Sequence, residues 1–297
     1  MTARPPAAQT AFGPMVIAAC EQLLPAHQRL FDDPDAVRML PPGQRLIVGA
    51  CRWKPVHRLL VRATDSKAQG LWAGMLCRKR YADDKVRDAL HDGIKQFVFL
   101  GAGLDTRPYR LVAPTGARSI ETDLPANIAY KRRRLTEAYG RLPAGTTLTA
   151  VDLETDDLTD ALTAAGFDWN EPAMVVWEAV TQYLTEDAVH RTLAGITRAA
   201  PGSRLIVTYL RRDFLDGTRD YGAAPARQEF VTKRQVWHFG LLPEETAALL
   251  GGYGWTEHEQ VGPAEYAERY LRPLGRDLAV SPIERFVYAD RSTDAPT

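Results

Sequence analysis

Hydrophobic positions divide the chain into two parts with different periodicities. Up to about residue 92, apolar residues such as Val16, Cys20 and Leu23 recur at the spacing of an α-helix. Prolines interrupt this pattern, and none of its segments has the alternation of a strand. Beyond that point, short apolar runs alternate with helical segments. The pattern predicts a helical cap over residues 1–92 and an α/β domain over residues 93–297.

The second part of the chain contains about seven predicted strands. The run Phe97-Val-Phe-Leu100 is wholly apolar, which suits a strand buried on both faces of a parallel sheet. Helical segments separate the first five strands, and this alternation implies parallel pairing through right-handed crossovers. We therefore predict a Rossmann-like, mostly parallel sheet with helices on both faces. The strands are predicted at residues 97–100, 118–123, 147–152, 173–178, 203–209, 256–261 and 284–289.

The ends of four predicted strands carry the residues with candidate chemistry. In an open α/β sheet, ligands bind outside the carboxyl ends of the strands. The first strand ends at Gly101 and Gly103, which allow a sharp turn and a close approach of the backbone to a ligand. The next three end at Asp123, Asp152 and Glu178. Each ending alone is typical of a solvated loop, but four along one sheet edge indicate a binding site.

Asp123 and Glu121 are alternative ligands for a ribose. Asp123 lies 20 residues beyond Gly103, where an acidic side chain can accept hydrogen bonds from both ribose hydroxyls. Glu121 shares the strand face of Asp123, because side chains alternate with a period of two. Asp123 is favoured, since it lies nearer the strand end. At the following strand end, the Asp152 carboxylate suits an adenine amino group, and the Leu153 amide suits the adenine ring.

The four strand ends lie in longer motifs that are specific when taken together. These motifs are Phe99-Leu-Gly-Ala-Gly-Leu-Asp-Thr-Arg107, Glu121-Thr-Asp-Leu-Pro125, Val151-Asp-Leu-Glu154 and Trp177-Glu-Ala-Val-Thr-Gln-Tyr-Leu184. They resemble the leucine carboxyl methyltransferase-like family, most closely its actinobacterial branch of S-adenosyl-L-methionine-dependent methyltransferases. The resemblance runs from about Thr64 to Ile196, and Pro282-Ile-Glu-Arg-Phe-Val287 is also similar to that branch. The motifs indicate the family but not the substrate.

The resemblance implies a class I methyltransferase fold with an antiparallel strand at the sheet edge, and S-adenosyl-L-methionine as the cofactor. It implies that Gly101 contacts the methionine part of the cofactor and that Asp123 binds the ribose. It also implies an arginine, on the helix before the first strand, that binds the cofactor carboxylate. Arg78 and Arg80 both qualify, and a guanidinium suits this task. The residues expected to bind the cofactor are Arg78, Arg80, Gly101, Ala102, Gly103, Asp123, Asp152, Leu153 and Glu178.

The expected reaction is O-methylation of a carboxylate or hydroxyl on a small molecule of the secondary-metabolite type. Methyl transfer is an in-line displacement, to which an enzyme contributes chiefly proximity and orientation. A hydroxyl acceptor also needs a base, for which His238 is the candidate among six histidines. An insert near residues 210–240 is predicted to cover the substrate. Three aromatic residues are candidates for an apolar wall of the substrate pocket, namely Tyr209 just before the insert and Tyr221 and Trp237 within it.

Composition gives no reason to expect a nucleic-acid partner, a membrane or a metal site. Lys plus Arg and Asp plus Glu both number 37, and this balance gives no reason to expect nucleic acid or a membrane as a partner. No apolar run is long enough to cross a bilayer. The three cysteines form no CxxC pair, which indicates reduced thiols, a cytoplasmic location and no metal site. The sequence does not indicate an oligomeric state.

Two other classes of protein stay open at this stage. One is an NAD-dependent oxidoreductase on a related Rossmann fold, which Asp123 would suit equally well. The complete GxGxxG fingerprint is absent, however, because Thr106 occupies its third glycine position. The second is a non-catalytic module that binds S-adenosyl-L-methionine, since methyl transfer requires no diagnostic nucleophile.

Overall fold

The computed structural model describes residues 12–291, which begin with five α-helices. The helices are α1 (Phe12–Glu21), α2 (Ala36–Met39), α3 (Pro42–Ala50), α4 (Lys54–Asp65) and α5 (Leu71–His91). Pro42 is the first residue of α3 and Pro55 the second of α4, where a missing amide hydrogen costs little. These prolines therefore mark helix starts within the predicted helical region.

The described strands form one sheet, and its architecture confirms the predicted fold class. The strands are β1 (Gln96–Leu100), β2 (Arg118–Asp123), β3 (Thr146–Ala150), β4 (Ala173–Trp177), β5 (Arg204–Arg211), β6 (Gly240–Leu241), β7 (Thr256–Val261) and β8 (Glu284–Asp290). Their order is β3-β2-β1-β4-β5-β8-β7, and β6 pairs with the end of β5. The first five strands in this order, which are β3, β2, β1, β4 and β5, are parallel to one another. The two-residue strand β6 was not predicted, since it is too short to show a periodicity.

The antiparallel strand is β8, and it lies one position inside the sheet edge. It pairs with β5 on one side and with β7 on the other, antiparallel in both cases. The expectation of an antiparallel strand at the edge itself is therefore corrected. The strand at this edge of the sheet is β7, which runs in the same direction as β5.

The alternation of side chains along β1 explains why the whole strand is apolar. Phe97 and Phe99 pack into a core layer that also contains Leu76 of α5. Val98 and Leu100 point to the opposite face of the sheet and pack with the helices of the other layer. Both faces are covered by helices, so the strand is hydrophobic at every position.

The remaining helices connect the strands or follow them. The α-helices are α6 (Pro125–Tyr139), α7 (Leu158–Ala164), α8 (Glu186–Gly195), α9 (Arg212–Leu215), α10 (Ala224–Arg227), α11 (Thr246–Gly251) and α12 (Pro263–Tyr266). Short 3-10 helices are Ala26–Gln28, Ala113–Thr115, Thr181–Tyr183, Pro243–Glu245 and Arg272–Leu274, and π-helical turns are Pro108–Val112, Gln228–Lys233 and Ala267–Leu271. No helix in residues 12–291 combines the length and the apolar character needed to cross a bilayer.

The N-terminal helices share a hydrophobic core with the sheet. Helix α5 packs against β4 and β5, and Met15 of α1 belongs to the same core as Phe97. The insert near residues 210–240 packs differently, because Phe214 and Ala226 contribute to a separate small core together with Ala68 and Ile283. The division at residue 92 stays a prediction, but the predicted cap is joined to the α/β layers by buried side chains.

Candidate active site

A cavity of about 430 Å³ lies at the carboxyl ends of β1, β2, β3 and β4. Helices α1 and α5 complete its wall with Pro14, Met15 and Met75. Eight of the nine residues expected to bind the cofactor line this cavity, and Arg80 is the exception. The eight are Arg78, Gly101, Ala102, Gly103, Asp123, Asp152, Leu153 and Glu178.

The glycine turn after β1 has the backbone conformation that its sequence predicts. Gly101 and Gly103 have φ angles of 62° and 45°, in the left-handed region that favours glycine. A Cβ atom at Gly101 would overlap the side chain of Val180. The Ala102 amide donates to the Thr122 carbonyl oxygen at 2.8 Å, which ties the turn to the end of β2. Gly101 and Gly103 both line the cavity, where they expose backbone and no side chain.

Asp123 accepts three hydrogen bonds and has capacity for a ligand. Its Oδ2 accepts from the Gly103 amide at 2.6 Å, and its Oδ1 accepts from the Leu124 amide at 2.7 Å. Oδ1 also accepts from the Asn127 side-chain amide at 2.8 Å. A carboxylate has about four lone-pair positions, so one acceptor position is left on Oδ2. The three donors orient the carboxylate beside the glycine turn.

Glu121, the alternative ribose ligand, lies in the core and does not line the cavity. It accepts a hydrogen bond from the Tyr109 hydroxyl and forms an ion pair with Lys131. Burial raises the pKa of Glu121, and the attraction of Lys131 offsets only part of that rise. Of the two acidic candidates, only Asp123 is placed to meet a ligand.

Asp152 and Leu153 lie in the loop that follows β3 and form another part of the cavity wall. Asp152 Oδ1 accepts from the Glu154 amide at 3.0 Å. Glu154, which also lines the cavity, accepts from the Thr185 amide at 2.7 Å and from its hydroxyl at 2.9 Å. The Leu153 amide has no acceptor within residues 12–291. This segment therefore offers a carboxylate and an unpaired amide donor, the pair that was predicted for adenine.

Two arginines hold the Glu178 carboxylate at the centre of the site. Arg78 Nε lies 2.8 Å from Glu178 Oε1, and Arg107 Nη1 lies 2.7 Å from Glu178 Oε2. Arg78 also reaches Glu284 on β8, with 2.7 Å between Nη1 and Oε2. Arg107 is 1% exposed and also pairs with Asp105 Oδ2 at 2.6 Å. The network joins α5 and the loops after β1 and β4.

These ion pairs keep the central carboxylates charged. Burial raises the pKa of Glu178, but Arg107 and Arg78 lower it by more, so it lies below its usual value. Burial likewise opposes ionisation of Asp105, and the nearby cations Arg107 and Lys79 bring its pKa well below the usual range. Both carboxylates therefore present negative charge at the cavity wall at neutral pH, where a cationic ligand would be stabilised.

Arg80 lies outside the cavity. Residues two apart on a helix point to different faces, so Arg78 and Arg80 cannot both face the site. Arg80 pairs with Asp84 at 2.9 Å and donates to the Leu30 carbonyl oxygen at 2.5 Å. Of the two arginines, only Arg78 lies in the cavity wall, and its binding of a cofactor carboxylate stays a prediction.

The two tyrosines expected in the substrate pocket also lie elsewhere. Tyr209 is buried, and its hydroxyl donates to Gln260 Oε1 at 2.9 Å. The Tyr221 hydroxyl donates to Asp213 Oδ2 at 2.6 Å. Neither side chain lines the cavity. The reason is that β5 and the insert that follows it carry these rings beyond the four strand ends that form the site.

Trp237 and His238 are likewise placed away from the cavity. The Trp237 ring stacks on Phe230 with 4.4 Å between ring centroids, within the small core of the insert. His238 is exposed, and its backbone amide donates to the Gln182 carbonyl oxygen at 2.7 Å. The structure therefore gives no support to His238 as a base or to the insert as the cover of this cavity.

Several residues of the cavity wall were not predicted from the sequence. Asp105, Arg107, Glu154 and Tyr183 stand inside the four motifs, so their position there was the available signal. Met15 and Met75 have no such signal, because an apolar residue on a helix is typical of any core. The unpredicted residues of the wall include Met15, Met75, Lys79, Asp105, Arg107, Asn127, Glu154 and Tyr183.

The described residues hold no candidate metal centre. Within residues 12–291, no group of three or more His, Cys, Asp or Glu side chains is arranged to bind a metal ion. Cys20, Cys51 and Cys77 are buried free thiols. The polar side chains that line the cavity are those of Arg78, Lys79, Asp105, Arg107, Asp123, Asn127, Asp152, Glu154, Glu178 and Tyr183.

The sheet order and the cavity together define the class of the protein. A mostly parallel sheet with a single antiparallel strand inside one edge has the fold of the class I S-adenosyl-L-methionine-dependent methyltransferases. The crystal structure of a "putative methyltransferase" from Thermobifida fusca superimposes with a TM-score of 0.54. The two sequences are 20% identical, and the superposition covers 80% of this chain and 89% of the Thermobifida chain. At this identity the likeness shows the fold alone.

The chain belongs to the leucine carboxyl methyltransferase family, whose profile matches residues 11–197. A "putative S-adenosyl-L-methionine-dependent methyltransferase" of Mycobacterium bovis is 37% identical over 200 residues, 65% of this chain and 64% of that relative. A protein of the same description from Parafrankia is 30% identical over 275 residues, 89% of this chain and 81% of that relative. The family resemblance drawn from the motifs is confirmed. The match spans less than two thirds of the mycobacterial relative.

Proposed function

We propose that this protein is an S-adenosyl-L-methionine-dependent methyltransferase that methylates an oxygen atom of a small molecule. The supporting observation is that seven motif residues from four strand ends, together with Arg78 of α5, line a single cavity. Its volume of about 430 Å³ lies within the range typical of ligand pockets. The description of the mycobacterial and Parafrankia relatives names the same cofactor.

The donor set of the cavity fits this cofactor. Gly101 and Gly103 line the cavity without a side chain, so a ligand can approach the backbone of this turn. The free acceptor position on Asp123 suits a ribose hydroxyl, and the unpaired Leu153 amide suits an adenine ring nitrogen. The carboxylates of Glu178 and Asp105 suit a ligand with positive charge.

When bound, the cofactor supplies a methyl group on a positively charged sulfur. The residues of the chain contribute binding and orientation. Met15, Met75 and Leu184 provide an apolar wall that excludes water from the site. Arg78 already binds two carboxylates, and its fork-shaped guanidinium suits the carboxylate of an amino-acid ligand.

A carboxylate acceptor is favoured over a hydroxyl. Among the described residues that line the cavity there is no histidine. Glu178 is a weak base because its pKa is held below the usual value by Arg107 and Arg78. A carboxylate is already ionised at neutral pH and needs no base, only positioning. We therefore infer methyl-ester formation on a small-molecule acid as the reaction that this cavity supports best.

Calorimetric titration with S-adenosyl-L-methionine and S-adenosylhomocysteine tests the cofactor, with NAD as the comparison ligand. We expect both adenosyl compounds to bind and Asp123→Ala to abolish the binding. Asp160→Asn is the matched control, since Asp160 is an exposed acid outside the cavity. Binding of NAD without either adenosyl compound would contradict the proposal and indicate an oxidoreductase.

A labelled methyl group then tests the acceptor class. A panel of small carboxylic acids and phenols is incubated with the protein and methyl-labelled cofactor, and the products are treated with mild alkali. A methyl ester releases volatile labelled methanol, whereas a methyl ether does not. Label transferred only to nitrogen or carbon would refute O-methylation. Cofactor binding without turnover on any acceptor would indicate a non-catalytic binding module.

A further inference from the structure

The large apolar side chains that are exposed in residues 12–291 all fall in one short segment. They are Val37, Leu46, Ile47, Trp53 and Leu59, on α2, α3, α4 and the turn between α3 and α4. Leu46 is 75% exposed, and Trp53 and Leu59 are each 68% exposed. Single exposed apolar residues are ordinary on soluble proteins, but their restriction to one segment indicates an interaction surface.

Helix α3 presents an apolar face to solvent. Its exposed residues are Pro42, Gly43, Leu46, Ile47, Gly49 and Ala50, and none of them has a polar side chain. Its polar residues Gln44 and Arg45 are partly buried, and Arg45 donates to the Leu40 and Arg38 carbonyl oxygens. A surface helix normally has the opposite arrangement, with its polar face outward.

The same segment carries a local excess of positive charge in a chain of zero formal net charge. Residues 36–70 contain seven Lys or Arg and one acid, Asp65, whose carboxylate accepts from the Trp72 amide. Five of the cations are exposed and form no ion pair with any described residue. These five are Arg52, Lys54, Arg58, Arg62 and Lys67.

Helix α4 places charge and apolar surface side by side. Arg58, Leu59 and Arg62 are exposed, while Leu60 and Val61 are partly buried against the rest of the protein. Trp53 and Lys54 stand at the start of the same helix. We call the exposed residues of α3, the turn and α4 (residues 42–67) the basic apolar face.

We propose that the basic apolar face binds the surface of an anionic lipid bilayer. Aliphatic and Trp side chains on a helix flanked by Lys and Arg are typical of elements that lie in the bilayer interface. The apolar side chains would enter the boundary between headgroups and acyl chains, and the unpaired cations would contact anionic headgroups. This binding is peripheral and does not depend on the proposed methyl transfer.

Charge argues against a second copy of the chain as the partner. A symmetric dimer would set the same patch against itself and bring the unpaired cations of both copies together. Leu46, Ile47 and Leu59 are aliphatic and offer no ring for stacking, so a single-stranded nucleic acid would leave them unused. A fluid, negatively charged surface satisfies both the cations and the aliphatic side chains.

The basic apolar face adjoins the helix that lines the cavity. Helix α3 packs against α1, and α1 contributes Pro14 and Met15 to the cavity wall. Attachment through α3 and α4 therefore holds the cavity close to the lipid surface. The α/β sheet and its other helices take no part in this attachment.

Flotation of the full chain with lipid vesicles, without cofactor, tests the proposal. We expect binding to vesicles of equimolar phosphatidylcholine and phosphatidylglycerol, weakened by salt, and little binding to phosphatidylcholine alone. Arg58→Glu with Arg62→Glu should weaken binding at least tenfold. Lys95→Glu with Arg141→Glu is the matched control, since both are exposed cations outside the segment. That control should leave binding unchanged.

The apolar part of the face has its own test. Leu46→Ser with Ile47→Ser should weaken vesicle binding several-fold while leaving thermal unfolding unchanged, because both side chains are exposed in the free protein. Equal binding to neutral and anionic vesicles, or none to either, would overturn the proposal. So would a concentration-dependent dimer that the Ser substitutions abolish, or charge-dependent capture of an acidic protein in the absence of vesicle binding.

Discussion

Arg107 Nη1 lies 2.7 Å from Glu178 Oε2, and this buried contact joins the loop after β1 to the loop after β4. Both residues line the cavity, and Arg107 is almost fully buried. The guanidinium also binds Asp83 Oδ1 at 2.8 Å through Nε. One side chain therefore ties two strand ends together and pairs with three carboxylates, those of Asp105 and Glu178 in the cavity wall and that of Asp83 outside it.

Arg107→Met should destabilise the protein strongly. The substitution keeps much of the side-chain volume but leaves Asp83, Asp105 and Glu178 buried without their shared cation, which costs about 3–5 kcal/mol in comparable cases. Urea unfolding at neutral pH measures the loss. Arg107→Lys keeps one charge and should lose less. Equal stability of the wild type and the Met variant would show that the network contributes nothing net.

Arg78→Ala should weaken binding of S-adenosylhomocysteine, whereas Arg80→Ala should not. Removal of a cation that meets a buried carboxylate costs about 2–5 kcal/mol. Arg80 lies outside the cavity, where its guanidinium contacts Asp84 and the Leu30 carbonyl oxygen, so its loss should leave ligand binding unchanged. The control ligand for calorimetry is 5′-methylthioadenosine, which lacks the amino-acid part of the cofactor. If Arg78→Ala weakens both ligands equally, Arg78 acts on the architecture of the site and not on the carboxylate.

Gly101→Ala should impair both stability and cofactor binding. A non-glycine residue at φ of 62° costs about 1–2 kcal/mol, and the added Cβ would also meet Val180. Gly101→Ala combined with Val180→Ala should recover the steric part of the loss but not the conformational part. A double-mutant cycle by urea unfolding separates the two. Full recovery in the double variant would mean that the backbone conformation at residue 101 is unstrained.

Glu259 should stabilise the protein in a pH-dependent way. Burial raises its pKa, but hydrogen bonds from Arg269, Tyr81 and Lys85 prevail and lower it to about 2. A lowered folded-state pKa gives stability that is present above the unfolded value of about 4.3 and is lost as pH falls toward 2.

Glu259→Gln should therefore lower the free energy of unfolding at pH 7 by about 1–2 kcal/mol, after allowance for solvent screening at this partly exposed site. The difference from the wild type should shrink when unfolding is measured again at pH 3. Glu268→Gln serves as a control, because Glu268 is an exposed acid of the same region and has no ion pair with a described residue. If the difference in unfolding free energy grew at pH 3, the pKa of Glu259 would have to be raised by folding and not lowered.

Much of the sheet could be predicted from hydrophobic runs alone. The bounds predicted for the strands at 118–123 and 256–261 agree with β2 and β7. Predicted strands at 147–152 and 173–178 extended too far, because Asp152 and Glu178 belong to the loops that follow β3 and β4. Backbone pairing decides where a strand stops, and the residue types at its end show this only approximately.

The motif residues that are expected to bind the cofactor converge for a reason that the sequence already contains. Parallel strands end at the same sheet edge, so Asp123, Asp152 and Glu178 are brought together once the strands are assigned. No comparable rule locates the substrate pocket from the sequence. The prediction for Tyr209 and Trp237 rests on their aromatic character and their position in the chain, whereas in the structure both rings pack into hydrophobic cores away from the cavity wall.

By itself the sequence determined the fold class, the family and the edge of the sheet that carries the site, because strand periodicity and local turns depend on neighbours in the chain. Only the tertiary structure decided between Arg78 and Arg80, placed Met15 at the cavity and turned the apolar face of α3 outward. These outcomes depend on how helices pack across long separations in the chain. Packing is set by the shape and charge of the whole surface that a helix meets, and not by the pattern of the helix alone.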